Sequence, residues 1–492
     1  MSLSATIKSI QDIMRKDVGV DGDAQRIGQL AWLLFFKIFS DQDAELELSD
    51  DTYESPIPMA LCWDQWADSQ TLGKDAPTGD ALLEFVDDKL FKTFKDLDPA
   101  EHEGLAQERA LLLKSVFSDA YNYMKSGTLL RQVVDKINDA IDLNQRQTRD
   151  VFGDIYEKIL KDLQSAGNAG EFYTPRAVTQ FAVDMTNPQL GETVLDPACG
   201  TGGFLTCAYE HLKAQAQTPA DLATAKASIQ GVEKKQLPHL LCVTNMMVHG
   251  IEVPTNIRHD NTLRRPLRDY GPRDWVDVVV TNPPFGGMDG IEDGIEGGFP
   301  SEFRTRETAD LFLVLVMTLL KPGGRAAIVL PDGTLFGEGI KTRVKEKLLR
   351  DCNLHTIVRL PNGVFNPYTS IRTNVLFFTK GEPTEAVWYY EHPYPEGYKS
   401  YSKTKPMRVA EFAPEKAWWH DRQESEQAWR VPVADIIANG YNLDIKNPNT
   451  PEDTHEDPVV LLGQYQAAVT AAAEARRSLK ESLMAALERE DA

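Results

Sequence analysis

The stretch TVLDPACGTGGFLTCAYEHLKAQ, residues 193–215, is where the texture of the chain changes. A short apolar run stops at Asp196, glycines cluster at Gly200, Gly202 and Gly203, and apolar residues then recur at helical spacing. That order predicts a strand ending in a carboxylate, a tight turn, and a helix over 202–215. Outward from it, SIQGVE, NIRHD, VDVVVTN, RAAIVLP, LHTIVRLP and TNVLFFTK read as further strands, separated by helical patterns at 236–249, 308–321 and 338–351. Strand and helix alternating, with strands apolar almost throughout, predict an α/β fold: a doubly wound, mostly parallel sheet covered on both faces. Sheets of this kind bind ligands outside the carboxyl ends of their strands.

Ahead of this region, IKSIQDIM, LAWLLFFKIF, ALLEFVDDKLF and ALLLKSVFSDAY carry apolar residues at helical spacing with few β-branched runs. They predict an all-α N-terminal domain over 1–144, followed by a catalytic domain over 145–450. Beyond Gly381 the chain turns rich in Tyr, Trp, Pro and charge. Residues 451–492 read as an acidic, Pro-bounded linker, PEDTHEDP, and one long C-terminal helix. On that helix Leu461, Tyr465, Ala468, Ala472, Ala475, Leu479, Leu483 and Ala486 form an apolar stripe suited to a partner helix.

Hydrophobic residues make up 42% of the chain and charged residues 26%, which is the balance of an ordinary folded protein and excludes a disordered one. The formal net charge of −22 is opposite to that of a self-sufficient nucleic-acid binder, so contact with a polyanion must be local or shared. Cys62, Cys199, Cys207, Cys242 and Cys352 are scattered and form neither a C-x-x-C pair nor a Cys/His cluster. Reduced thiols, no metal and a cytoplasmic protein are expected. The greasiest run, IGQLAWLLFFKIFSDQ, is interrupted by Lys37 and too short to span a bilayer, so no membrane association is expected.

The glycines after Asp196 let a backbone approach a ligand closely. A dinucleotide fingerprint would need glycine at 205, which is Leu205, and no G-K-[ST] follows, so neither NAD nor a P-loop is supported. The next two strands end at Glu233 and Asp260. Asp196, Glu233 and Asp260 on three successive strand ends suit a ligand with ribose hydroxyl, ammonium and adenine amino donors, a description that fits S-adenosylmethionine. In VDVVVTNPPFGG, residues 276–287, a buried strand runs into Asn282, Pro283, Pro284 and Phe285. The prolines fix the backbone, leaving the Pro283 carbonyl and the Asn282 side-chain oxygen as two acceptors. Two acceptors gripping the hydrogens of an exocyclic amine localise its lone pair for attack on a methyl group, and Phe285 can stack on the base.

These motifs resemble the amino-group DNA methyltransferases, and most closely the modification (M) subunit of type I restriction-modification systems, whose members methylate adenine at N6. The resemblance runs through EFYTPR (171–176), DPACGTGGF, NPPFG, KPGGRAAIVLPDGTLF, LPNGVFNPYT and GYNLDIKNP. It implies that Glu171, Phe172, Tyr173, Thr174, Pro175 and Arg176 cradle the cofactor, that Thr201, Gly202 and Gly203 supply the turn contacts, and that Glu233 holds the ribose. Asp260 and Asn261 would neighbour the cofactor adenine, Asn282 to Phe285 would form the catalytic loop, and Phe365 would give the base pocket its second aromatic face. Little chain remains after PNGVFNPYT, and part of it is linker and helix, so target recognition is expected from another subunit. The resemblance implies two M chains on one specificity (S) subunit, a restriction (R) subunit joining to cleave, and double-stranded DNA engaged through the complex. Other readings of the same loop are methylation of cytosine N4, of an RNA guanine or of a protein glutamine, and a non-catalytic scaffold.

Overall fold

Seven strands fall on the apolar runs read from the sequence: β1 (Val194–Asp196), β2 (Ile229–Glu233), β3 (Ile257–His259), β4 (Val276–Thr281), β5 (Leu320–Pro331), β6 (Cys352–Arg359) and β7 (Thr373–Lys380). Two more, β8 (Ala386–Glu391) and β9 (Ala428–Pro432), lie in the aromatic region beyond Gly381. This is a computed structural model in which residues 3–140, 156, 173–286, 295–402, 404–449 and 458–490 are described. The chain divides into two compact units, Met1–Lys446 and Asn447–Ala492.

The nine strands form one sheet in the order β3-β2-β1-β4-β5-β7-β6-β8-β9. From β3 to β5 every neighbouring pair is parallel. The other half is mixed: β7 runs antiparallel between β5 and β6, β8 is parallel to β6, and β9 is antiparallel to β8. No helix separates β6 from β7 in the sequence, and without a helical crossover the chain returns antiparallel.

Along β4, Val278 and Val280 enter one apolar core while Val279 enters another, so the strand is covered on both faces. Elements of the first core include α5 (Arg176–Thr186), α6 (Gly203–Lys213) and α8 (Gln236–Val248), with α7 (Pro219–Ser228) beside them. The second core is closed by α9 (Thr308–Leu319) and α10 (Ile340–Asp351). This places the carboxyl ends of β1, β2 and β4 between two helical layers, with the glycine turn leading from β1 into α6.

The N-terminal region is helical. Its longer helices are α1 (Leu3–Met14), α2 (Asp23–Ser49), α3 (Gly104–Asp119) and α4 (Gly127–Ala140). The run Leu30–Phe39 in α2 is buried throughout, Lys37 included, whose ammonium reaches Asp41 at 2.7 Å. On α3 the buried Arg109 pairs with Asp43 of α2 at 2.5 Å, lies over the Phe39 ring at 4.0 Å, and donates to the Glu252 carbonyl at 3.2 Å. Removing one partner of a buried pair strands the other charge, so Arg109 fixes the helical region to the segment after α8.

In the second unit α11 (Pro458–Glu490) is a single helix of 33 residues. Every residue from Tyr465 to Glu481 is exposed along it. No described helix is long and apolar enough to cross a membrane. All five cysteines are free thiols.

Candidate active site

The ends of β1, β2 and β4 open onto a cavity of ≈ 180 Å³. On β1, Asp196 is buried. Its Oδ1 accepts hydrogen bonds from the Thr281 hydroxyl at 2.6 Å and the Ala198 amide at 3.1 Å. Burial outweighs these bonds and pushes the carboxyl up to about 7. On β2, Glu233 accepts the Gly200 amide on Oε2 at 2.9 Å and the Lys235 amide on Oε1 at 2.7 Å. Burial raises this carboxyl as well, opposed by the two amides and the Lys235 charge. Both acids line the cavity.

Asp260 is exposed beyond β3, and its backbone amide donates to the Glu233 carbonyl at 3.0 Å. Its neighbour Asn261 is buried and accepts the Leu263 amide at 3.1 Å. Both lie on the cavity wall.

Within the glycine turn the roles divide. Gly200 and Gly203 line the cavity, whereas Thr201 and Gly202 stand behind it against α8. The Thr201 carbonyl accepts from Asn245 Nδ2 at 3.0 Å. Gly202 has φ +82, and a Cβ there would meet the Cys242 sulfur at 2.8 Å. Close helix packing and a left-handed backbone account for this glycine without any ligand.

Of the segment 171–176, Glu171 and Phe172 lie outside the described residues. Tyr173 and Thr174 line the cavity. Pro175 precedes the first turn of α5 and accepts amides from Val178 and Thr179, and Arg176 donates to the Thr206 hydroxyl at 3.3 Å. These two residues do not form part of the cavity wall.

The loop after β4 supplies the opposite wall. Asn282 Nδ2 donates to Thr174 Oγ1 at 3.0 Å, while Asn282 Oδ1 is buried with no hydrogen-bond partner. The Thr308 hydroxyl donates to the Pro284 carbonyl at 2.8 Å, fixing the loop to the start of α9. Phe285 meets Phe365 edge to face, with centroids 6.1 Å apart and planes at 82°. A flat ring lying against one phenylalanine would meet the other edge-on. Pro283 and Phe365 are buried, and Asn282, Pro283, Pro284, Phe285 and Phe365 all border the cavity.

Sequence reasoning passed over Thr281, Thr308 and Tyr368. Tyr368 lines the cavity from within PNGVFNPYT, a motif visible in the sequence. Nothing local to Thr308 marks its contact with Pro284, which is made across 24 residues. The arrangement as a whole offers buried carboxylates and close backbone at one end and an unsatisfied acceptor beside aromatic rings at the other. Such a site suits a ligand rich in hydroxyl and ammonium donors next to a flat molecule bearing an amino group.

Comparison with known proteins gives the same picture. Residues 147–457 match the family model described as N-6 DNA Methylase, and residues 3–137 match that of the HsdM N-terminal domain. The chain is 60% identical to the type I restriction enzyme EcoEI methylase subunit of Escherichia coli over 99% of both chains. It is 35% identical to the EcoKI methylase subunit of Escherichia coli strain K12, over 50% of this chain and 49% of that one. Among solved structures, a chain given as a modification subunit of a type I restriction enzyme from Vibrio vulnificus superposes with a TM-score of 0.80 at 42% identity, covering 92% of this chain and 98% of that chain. A chain from a structure on complex assembly and conformational transition of the type I R-M system gives 0.80 at 35% identity, covering 98% of both.

Proposed function

The chain belongs to the N-6 DNA methylase family, among the methylase subunits of type I restriction enzymes, and from that premise we propose that its cavity binds S-adenosylmethionine beside an adenine turned out of duplex DNA. The observation that carries this reading is the buried, unpartnered Oδ1 of Asn282 at the cavity wall next to Phe285. Other buried acceptors also lack a donor, but Gln42 and Asn374 do not border this cavity; Asn282 does, and an amino group entering there would satisfy its oxygen.

When bound, the cofactor supplies an electrophilic methyl group. Glu233 holds the ribose: each of its oxygens already accepts one amide, and a carboxylate oxygen has a second lone pair for a hydroxyl. Asp260 and Asn261 flank the cofactor adenine, and Asp196, Gly200 and Gly203 form the floor. From the segment 171–176, Tyr173 and Thr174 border it, while Thr201 and Gly202 keep the turn in shape from behind. Asn282 Oδ1 and the Pro283 carbonyl accept the two hydrogens of the target N6 amine, so that its lone pair points at the methyl carbon. Held by these residues, the cofactor would supply its methyl group to that lone pair, and the surplus proton on the nitrogen, held by Asn282 Oδ1 and the Pro283 carbonyl, would pass to solvent. Phe285 and Phe365 hold the base, one by its face and one by its edge.

The functional division that goes with this is a helical N-terminal domain over 1–144, a catalytic domain over 145–450, and a linker with a partner-binding helix over 451–492. Sequence choice belongs to a specificity subunit carrying two copies of this chain, a restriction subunit joins for cleavage, and the complex works in the cytoplasm. The net charge of −22 supports borrowed DNA affinity. Purifying the chain with its neighbouring gene products and identifying the base that gains a labelled methyl tests the reading. N6-methyladenine at one defined sequence is expected, and label on cytosine N4 would overturn it.

A further inference from the structure

The loop between β6 and β7 carries large apolar side chains from the cavity wall outward. Phe365 is 4% exposed, Tyr368 38% and Ile371 53%. Phe365 and Tyr368 both line the cavity, so the partly exposed Tyr368 stands at its mouth, and Ile371 comes three residues later, outside the lining. Hydrogen bonds tie this loop down. The Thr369 amide donates to the Phe365 carbonyl at 3.3 Å, the Ile371 amide to the Thr369 hydroxyl at 3.1 Å, and Arg372 Nε to Asn362 Oδ1 at 2.9 Å. At its end the Arg372 carbonyl accepts the Asp332 amide at 3.1 Å. Single exposed apolar residues are common on protein surfaces, and what sets this one apart is its place. A base entering the cavity has to pass Tyr368, so the duplex it leaves lies against the same loop. From Leu360 to Arg372 the loop holds one arginine and no carboxylate, in a chain with 74 acidic residues, and it does not repel phosphate.

A base turned out of a duplex leaves a gap between its neighbours, and the lost stacking has to be offset. Apolar side chains, isoleucine among them, do so by entering the base stack. We propose that Ile371 is such a wedge and that, resting on the turned-out adenine of the proposed function, it enters the duplex at the position the adenine vacates. Tyr368 stands at the threshold against the departing base, and Arg372 brings positive charge to the flanking phosphates. The partner of this rim is the opened duplex and not the specificity subunit. Phe285 and Phe365 hold the base once it is inside, whereas Ile371 keeps the duplex from closing behind it.

The test compares the parent, Ile371→Ala and Ile371→Leu in the complex with the specificity subunit. Three duplexes are used: target adenine opposite thymine, target adenine opposite cytosine, and 2-aminopurine in place of the target adenine, which brightens when it leaves the stack. For Ile371→Ala, binding of the matched duplex is expected to weaken about tenfold and the 2-aminopurine signal to drop by about half or more. On the mismatched duplex the pair is already weakened and less has to be offset, so the loss should shrink to about threefold or less. Ile371→Leu, still apolar and of similar size, should restore both readouts. Cofactor affinity and co-purification with the specificity subunit should match the parent in both variants. Equal losses on the matched and mismatched duplexes, or no loss on either, would overturn the inference. Weaker assembly with the specificity subunit would also overturn it, because Ile371 would then be a subunit contact. The 2-aminopurine signal keeps the two readings apart: no rise in the parent complex removes the turned-out base and the wedge with it, whereas a full rise in both parent and Ile371→Ala removes the wedge alone.

Discussion

The carboxylate of Asp196 accepts the hydroxyl of Thr281 at 2.6 Å, joining the end of β1 to the end of β4 directly before Asn282. The pair links the floor of the cavity to the loop that faces the target base. It also leaves a buried acid that ionises near neutrality, because burial pushes the carboxyl up to about 7.

That position fixes the sign of a pH effect. The folded state keeps the Asp196 proton to higher pH than the unfolded chain does, so its stabilising effect is complete below the ordinary carboxylate range and is lost as pH rises through about 7. Asp196→Asn stays neutral throughout. Between pH 5 and 8 the thermal midpoint of the parent should fall relative to that of Asp196→Asn, and parallel profiles would contradict the assignment. A cationic cofactor beside Asp196 favours the ionised acid, so binding at pH 6 should release a proton that is already absent at pH 8. Calorimetry in buffers of different ionisation enthalpy reads this directly.

Glu233 holds the glycine turn as well as the proposed ribose. Its loss removes acceptors from Gly200 and Lys235 together with the cofactor contact. Charge-assisted bonds are worth about 1.5 to 3 kcal/mol each, so Glu233→Ala should weaken S-adenosylmethionine binding by roughly tenfold or more. Unchanged affinity by equilibrium dialysis would remove the ribose assignment.

Gly202 tests the packing account of the turn. Alanine there meets the Cys242 sulfur at 2.8 Å and adopts an unfavourable φ of +82, a combination that should cost about 2 kcal/mol or more. Adding Cys242→Ala removes the clash and leaves the backbone term, so the double variant should recover part of the loss in urea denaturation. Strictly additive losses would show that the sulfur is not what the methyl group meets.

The exposed C-terminal helix gives a prediction about assembly. Leu462, Tyr465, Val469 and Leu479 are all at least half exposed on α11. Deleting the residues after Asp457 should leave cofactor binding unchanged and weaken co-purification with the specificity subunit. Assembly at full affinity without the helix would contradict a partner-binding role.

The parallel half of the sheet was legible chiefly from β1, β2 and β4, short runs each separated from the next strand by a helix-period stretch, whereas β3 is followed only by short turns and β5 runs to 12 residues. The acids at 196, 233 and 260 and the 282–285 loop could be placed on one edge from strand ends alone. The reading lost ground beyond Gly381, where Trp388, Tyr389 and Tyr390 of β8 and Trp429 of β9 sit among prolines and charges that mask a period-two pattern. It treated the glycine motif as uniformly ligand-facing, whereas Thr201 and Gly202 are turned to α8, a distinction set by the tertiary neighbour Cys242. Thr281 and Thr308 stayed hidden for the same reason: a hydroxyl that pairs with a residue 85 or 24 positions away leaves no local pattern. Thr174 was visible in EFYTPR, but its bond to Asn282 was not.

The central claim is that Asn282 acts on the target amine and not on the cofactor. Single-turnover methyl transfer by the complex, measured for Asn282→Ala beside calorimetry of S-adenosylmethionine binding, tests it most directly. The expected result is a methyl-transfer rate lowered by about a hundredfold or more with cofactor affinity nearly unchanged. A rate close to that of the parent, or a fall explained entirely by lost cofactor binding, would contradict the account.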